Sequence, residues 1–243
     1  MRKTYAILAL IAAVVLGVYF ATPDRNFVEP VFPLAETSTV APYDDKSDGG
    51  SSNIEFAVKD SSLSFSCELG VDTTRSAWCG LVFDLSQGEK KNYRNWTFVD
   101  SVVFDVEAHG TKEILVKIWT YDPDVTKLDN PRTFKLLLKE LPLKDGRQHV
   151  AIPMEQFYTP DFWYTDGNID PSKNRRHQES VARVEIAPGW NQKRGQKFDL
   201  TFSNITAYGV SNFGFSVVLF VILGLTIVAI GRKNSCGKKN DGN

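Results

Sequence analysis

Histidine and cysteine are scarce, with three of each in 243 residues. His109, His149 and His177 stand far apart, with no cysteine or second histidine at ligand spacing, so neither a metal site nor a cofactor is expected. There is no excess of either charge: 28 basic against 29 acidic residues leave a formal net charge of -1, and no global field would gather nucleic acid. Also missing are a glycine-rich phosphate loop, a G-x-S-x-G turn and a Cys/His pair placed to activate a nucleophile. The carboxylates Asp105, Glu107, Asp122 and Asp124 read as solvated acids of strand faces and turns, so no enzyme is expected.

What the chain does have is two long uncharged runs at opposite ends. Thr4 to Ala21 follows Arg2 and Lys3 directly and is open to two readings, a membrane span or a signal peptide. It exceeds the apolar core of about 7–15 residues that a signal peptide uses, and Tyr19 occupies a position where a cleavage site wants a small residue. An uncleaved anchor over 1–21 is therefore expected. Phe213 to Ile230 is apolar around its whole circumference, unlike a core helix, and Arg232, Lys233, Lys238 and Lys239 follow it. Basic flanks outside both runs predict a two-pass cell-membrane protein with cytoplasmic termini, a span over 213–231 and a basic tail over 232–243. The middle would then lie outside the cytoplasm, in the periplasm if the cell is bacterial.

Residues 22–53 hold Pro23, Pro30, Pro33 and Pro42 and then DDKSDGGSS, a composition that predicts a disordered stalk. From 54 to 209 the texture changes to short runs of alternating or β-branched apolar residues separated by turn formers. The runs fall at 54–59, 63–69, 78–85, 101–108, 113–121, 133–141, 149–154, 181–187 and 197–209. Nine strands without a long helix predict an all-β, antiparallel two-sheet jelly-roll sandwich flanked by two transmembrane helices.

Cys236 falls in the expected tail, which leaves Cys67 and Cys79 as an even pair outside the membrane. Alternation puts both sulfurs on core-facing sides, where they are either a disulfide or two buried small hydrophobes. As a disulfide between the strands of a hairpin, the bridge would close about a dozen residues and contribute about 3 kcal/mol.

The notable surplus is aromatic. In EILVKIWTY, Ile114, Val116 and Ile118 share one face and Lys117, Trp119 and Tyr121 the other, and Lys135 and Lys139 are expected on an equivalent face of the run at 133–141. Aromatic faces flanked by polar groups suit a sugar ring, whose axial hydrogens pack on the ring while its hydroxyls take directed bonds. The blander reading has Trp119 and Tyr121 cover a sheet edge. The long connection at 156–178 carries Trp163 as a ligand ring or a plug, and Trp190 in PGWNQKRG has the same two readings.

The order LSFSCEL, AWCGLVFDLSQG, WTFVDSVVFDVEA, EILVKIWTYD, RQHVAIPMEQF and FDLTFSNITAYG resembles the galactose-binding-like jelly roll. Within it, the family 11 carbohydrate-binding modules and the complex I intermediate-associated proteins are the nearest in pattern. The resemblance implies a β-glucan-type cleft on one sheet, with Lys117, Trp119 and Tyr121 as candidates. It also implies a structural calcium to which Asp60 or Asp199 would contribute, although Ser203 stands where an acidic residue commonly precedes the closing Asn-Ile. Extracytoplasmic sensor modules between two spans are similar in architecture.

Two functions follow as expectations. One is a non-enzymatic, membrane-anchored binding or sensory domain with a carbohydrate as ligand and Lys117, Trp119, Tyr121, Lys135, Trp163 and Trp190 as its binding residues. The other is a structural or assembly protein whose domain binds a protein partner for signalling or assembly in the membrane. A groove with converging polar groups would favour the sugar, and a flat aromatic patch the protein.

Overall fold

The computed structural model describes residues 2–21, 26–34, 38–86, 92–210 and 213–237. It divides into two compact units, Val28–Gly209 and the terminal pair Met1–Phe27 with Val210–Asn243.

In the terminal unit, α1 (Arg2–Ala21) and α3 (Phe213–Gly237) are both long and apolar enough to cross a membrane. They pack antiparallel: Tyr5 Oη donates to the Ala229 carbonyl at 3.4 Å, and at the other end the rings of Tyr19 and Phe215 lie 6.3 Å apart. The helix α3 continues through 232–237, past the expected end of the apolar segment, while Lys238 and Lys239 lie outside the described residues.

The other unit is a two-sheet antiparallel jelly-roll sandwich. One sheet takes the order β3 (Asn53–Lys59), β4 (Ser62–Glu68), β11 (Lys197–Val210), β6 (Val99–His109) and β9 (Gly146–Pro153), with β1 (Asn26–Phe32) also paired to β11. The second takes the order β2 (Thr39–Asp44), β5 (Cys79–Asp84), β10 (Val181–Pro188), β7 (Glu113–Thr120) and β8 (Lys135–Pro142). Alternation sends Leu63, Phe65 and Cys67 of β4, Phe104 and Val106 of β6, Leu81 and Phe83 of β5 and Val116 and Ile118 of β7 into the buried space between the sheets.

Two features correct the sequence reading. The segment taken as a stalk contains β1 and β2, and Val31 and Phe32 are buried. Prolines did not prevent this because β2 is an edge strand, paired only with β5, where a missing N–H breaks no ladder between two neighbours. Residues 22–25 and 35–37 of that segment lie outside the described residues. Cys67 and Cys79 form a disulfide with a Cα–Cα distance of 6.8 Å, but it joins β4 of one sheet to β5 of the other and so is not a bridge within a hairpin.

The strand β11 changes phase along its length. Phe198, Leu200 and Phe202 point inward, then Ile205 and Ala207 do, and the register against β6 shifts between Ser203 and Thr206. The extra residue is Asn204, exposed and at φ 53°, a left-handed conformation that Asn and Gly adopt more readily than other residues. Asn204→Val is expected to cost about 1–3 kcal/mol in denaturant unfolding, while Asn204→Gly stays within about 0.5 kcal/mol of wild type. Equal losses from the two would remove the left-handed backbone as the cause.

Candidate functional site

The outer face of the five-stranded sheet can be read as rows across its strands. Thr39, Asp84, Arg183, Trp119 and Leu136 form one row, and Ala41, Val82, Glu185, Lys117 and Leu138 the next. In the third, Tyr43 lies opposite Gly80, and Ala187 opposite Leu115 and then Glu140. The chemistry of the face follows from these neighbours.

Cross-strand pairing sets Lys117 against Glu185, with Nζ 3.8 Å from Oε2, and sets Arg183 over Trp119, with the guanidinium carbon 4.5 Å from the ring centre. Arg183 also donates from Nε to Glu185 Oε1 at 2.9 Å and from Nη2 to the Pro131 carbonyl at 3.0 Å. Glu185 thus holds both cations in place. Burial pushes the Lys117 ammonium below its ordinary pKa, against the opposing pull of Glu185.

The tip of Tyr43 packs over Gly80, where the lack of a side chain makes room: a Cβ there would come within 2.5 Å of Tyr43 Cζ and Oη and 2.7 Å of the Ile186 carbonyl. Its ring lies 5.9 Å from that of Trp78. The Tyr43 hydroxyl is buried and finds no hydrogen-bond partner among the described residues, and burial together with the Glu185 charge pushes its pKa up.

These side chains border a groove of about 670 Å³. It runs from Tyr43 and Trp78 across Val82, Glu185, Lys117 and Leu115 to Trp190, and Arg132, Arg183 and Arg194 also line it. Trp190 is 58% exposed yet fixed: its backbone N–H donates to Glu113 Oε1 at 3.1 Å and its Nε1 to Glu140 Oε1 at 3.2 Å. Burial raises the pKa of Glu140, but hydrogen bonds from Tyr158 and Trp190 outweigh it and hold the carboxyl below its ordinary value, so the acceptor of Trp190 is ionised at neutral pH. A second hollow, of about 540 Å³, is lined by Gly110, Thr111, Lys112, Glu113, Asp145, Asn191 and their neighbours and has no aromatic ring in its wall.

Of the six residues expected to bind ligand, the structure brings Lys117 and Trp190 to one groove. Trp119 lies beneath the Arg183 guanidinium, with its Nε1 buried and unpartnered among the described residues. Tyr121 is away from the groove, stacked on Tyr93 with ring centres 5.1 Å apart.

Lys135 and Trp163 are not on this surface. The register Trp119↔Leu136 and Lys117↔Leu138 places the leucines of β8 beside the aromatic face, opposite to the expected phase, and puts Lys135 and Lys139 on the other parity. Residues 135–138 are all buried, so their alternation carries no sign of which side is outer. Lys135 is fully buried, donating to Tyr164 Oη at 3.2 Å and to the Lys173 carbonyl, with the Trp163 ring 4.3 Å from its Nζ. Trp163 sits on the short helix α2 (Asp161–Gly167), donates to the Phe134 carbonyl at 2.7 Å and packs with Leu115, Leu136, Leu138 and Ala187. It is the plug of the two alternatives the long connection offered.

The sequence reading passed over Tyr43, Trp78, Arg183 and Glu185. Arg183 and Glu185 were within reach, since Val184 and Ile186 alternate with them. Tyr43 was hidden by the stalk reading, and Trp78 shares its run with Cys79 but faces the other way. Neither Asp60 nor Asp199 joins a group of three or more candidate metal ligands among the described residues, and Asp199 accepts from Ser66 Oγ.

No family model matches the chain, and no curated protein matches it by sequence. Solved structures of similar architecture include the family 11 carbohydrate-binding module of the cellulosomal cellulase Lic26A-Cel5E of Clostridium thermocellum, at 12% identity and a TM-score of 0.49, covering 76% of this chain and 95% of that one. A family 11 module from the same organism, in complex with a β-1,3-1,4-mixed-linked tetrasaccharide, has 14% identity and a TM-score of 0.49 over 76% and 96%. A family 30 carbohydrate-binding module has 11% identity and a TM-score of 0.48 over 76% and 99%. Likenesses this distant bring no ligand with them, and the use of the groove has to be argued from its own side chains.

Proposed function

We propose that this chain is a non-enzymatic, membrane-tethered glycan-binding protein, with the groove on the outer face of the five-stranded sheet as its binding site and the jelly roll outside the cytoplasm. The observation that carries this reading is the convergence of Lys117, Arg183 and Glu185 on a groove walled by Tyr43, Trp78 and Trp190. Flat rings at the walls give a pyranose a surface to stack on, and donors and an acceptor on the floor give its hydroxyls directed partners. A groove also distinguishes this from the flat patch that would favour a protein partner. Among the lining residues Glu185 is the one carboxylate, whereas glycoside cleavage uses a pair flanking the scissile bond. The two apolar helices support the tether.

Calorimetry of the full chain in nonionic detergent against a panel of neutral and charged polysaccharides tests the reading. Saturable binding to one glycan class is expected. Trp190→Ala should weaken it roughly tenfold, the worth of one stacked ring. Because Trp190 is exposed, its unfolding midpoint should remain that of wild type. A well-folded protein that binds none of the panel, or that binds equally well without Trp190, would overturn the assignment of this groove.

A further inference from the structure

The charge in the groove does not match the charge of the chain. Lys117, Arg132, Arg183 and Arg194 line it against the single carboxylate of Glu185, in a protein whose formal net charge is -1. On the opposite sheet the outer face carries Glu55, Glu68, Asp105, Glu107 and Asp199 against Lys59, Arg147 and Lys197 as permanent cations. The cation excess is thus a property of the groove lining, set in a chain with no net positive charge.

Inside the groove the cations are not all spent. Arg194 is committed to the carbonyls of Asp72 and Arg75, and Lys117 shares Glu185 with Arg183. Arg132 is exposed, and among the described residues its guanidinium makes no hydrogen bond or ion pair. Glu185 can neutralise one of the two cations it touches, which leaves uncompensated positive charge against Trp119 and the groove floor. The buried Tyr43 hydroxyl, close enough to Glu185 for that carboxylate to raise its pKa, adds no acceptor. A wall of donors short of acceptors fits a ligand rich in anionic oxygens, and planar guanidinium groups pair with carboxylate and sulfate oxygens two at a time.

We infer that the groove takes an acidic glycan, a polysaccharide whose rings pack between Trp78 and Trp190 while a carboxylate or sulfate ester meets Arg183, Lys117 and Arg132. The inference rests on the glycan reading of the same groove and names its ligand class. Nucleic acid is the other anionic polymer such a groove could attract. It is disfavoured because the chain as a whole has no excess of positive charge, so a long polyanion leaving the groove meets as many carboxylates as cations.

The experiment is calorimetry on the full chain in nonionic detergent with four probes: polygalacturonate for the carboxylate, dextran sulfate for the sulfate ester, mixed-linkage β-glucan as the neutral sugar and polyadenylate as the anionic polymer of another class. Each is titrated from about 50 mM to about 500 mM salt, a range over which exposed charge pairs are screened. The expected result is that one acidic polysaccharide binds at least about tenfold tighter than the β-glucan at low salt and loses that advantage at high salt. Which of the two binds identifies the anion. Arg132→Gln, on an exposed turn with nothing packed to lose, should weaken that binding about fivefold to tenfold and flatten its salt dependence. Arg183→Gln should do so more strongly, with its unfolding midpoint measured alongside.

Neutral β-glucan bound as tightly as the acidic polymers, without salt dependence, would overturn the acidic ligand while leaving the glycan site standing. Polyadenylate bound as tightly as the acidic sugars would also overturn it, since charge alone would then explain the affinity. Failure of every polysaccharide to bind would remove both proposals together.

Discussion

Lys135→Ala is expected to lower the stability of the sandwich by about 3–4 kcal/mol while leaving glycan affinity unchanged once the protein is folded. The lysine is completely buried, and its ammonium is held by the Tyr164 hydroxyl, the Lys173 carbonyl and the faces of the Trp163 and Tyr164 rings, 4.3 and 4.7 Å away. Truncation removes the aliphatic stem from the core and takes the donor from the part-buried Lys173 carbonyl and the Tyr164 hydroxyl. Lys135→Met separates these effects, since it keeps most of the volume and loses only the charge and its bonds. It should cost about 1–2 kcal/mol, because no buried ammonium then needs compensation. Denaturant unfolding of the three proteins gives the order wild type, Met, Ala. If Lys135 instead touched ligand, as its sequence pattern suggested, both variants would weaken glycan binding at undiminished stability.

That reversal shows what the sequence could carry. Each run of alternating residues from 54 to 209 became a strand, because a strand with one wet face and one dry face declares its period directly. The run at 135–138 has no wet face: α2 and Trp163 cover its outer side, and alternation then gives a period without a direction. The face that Lys117 occupies was legible because its strand has Ile114, Val116 and Ile118 on one side and a partly open face on the other. The edge strand β2 was illegible for the opposite reason. Its prolines and exposed positions resemble a linker, and its single neighbour β5 was not apparent from local sequence. With β2 went Tyr43, and with Tyr43 the far wall of the groove. The cluster of cations in the groove has no one-dimensional signature, since Arg132, Arg183 and Arg194 come from different connections and strands and converge only in the fold.

Removing the disulfide with Cys67→Ala and Cys79→Ala together should lower stability by about 3 kcal/mol, which corresponds to a fall of roughly 6–12 °C in Tm for a domain of this size. The bridge spans 12 residues of sequence but ties opposite layers, since β4 lies in the sheet ordered through β11 and β5 in the sheet that bears the groove. Without it the unfolded chain regains the freedom of the closed loop, and the folded state keeps the packing of Leu63, Phe65, Leu81 and Phe83 around the two small replacements. Both cysteines are 1% exposed, so a mild reductant should act only through opening of the native protein, and its rate should follow denaturant concentration as unfolding does. A bridge also ties stability to compartment. Chain directed across the membrane meets oxidising conditions, whereas chain retained in a reducing cytosol should show the lower midpoint of the double variant. Thermal unfolding of protein purified from each location, with free thiols counted on the same samples, measures the difference. Equal midpoints with the bridge present in one and absent in the other would mean that inter-sheet packing alone holds the groove-bearing sheet in place.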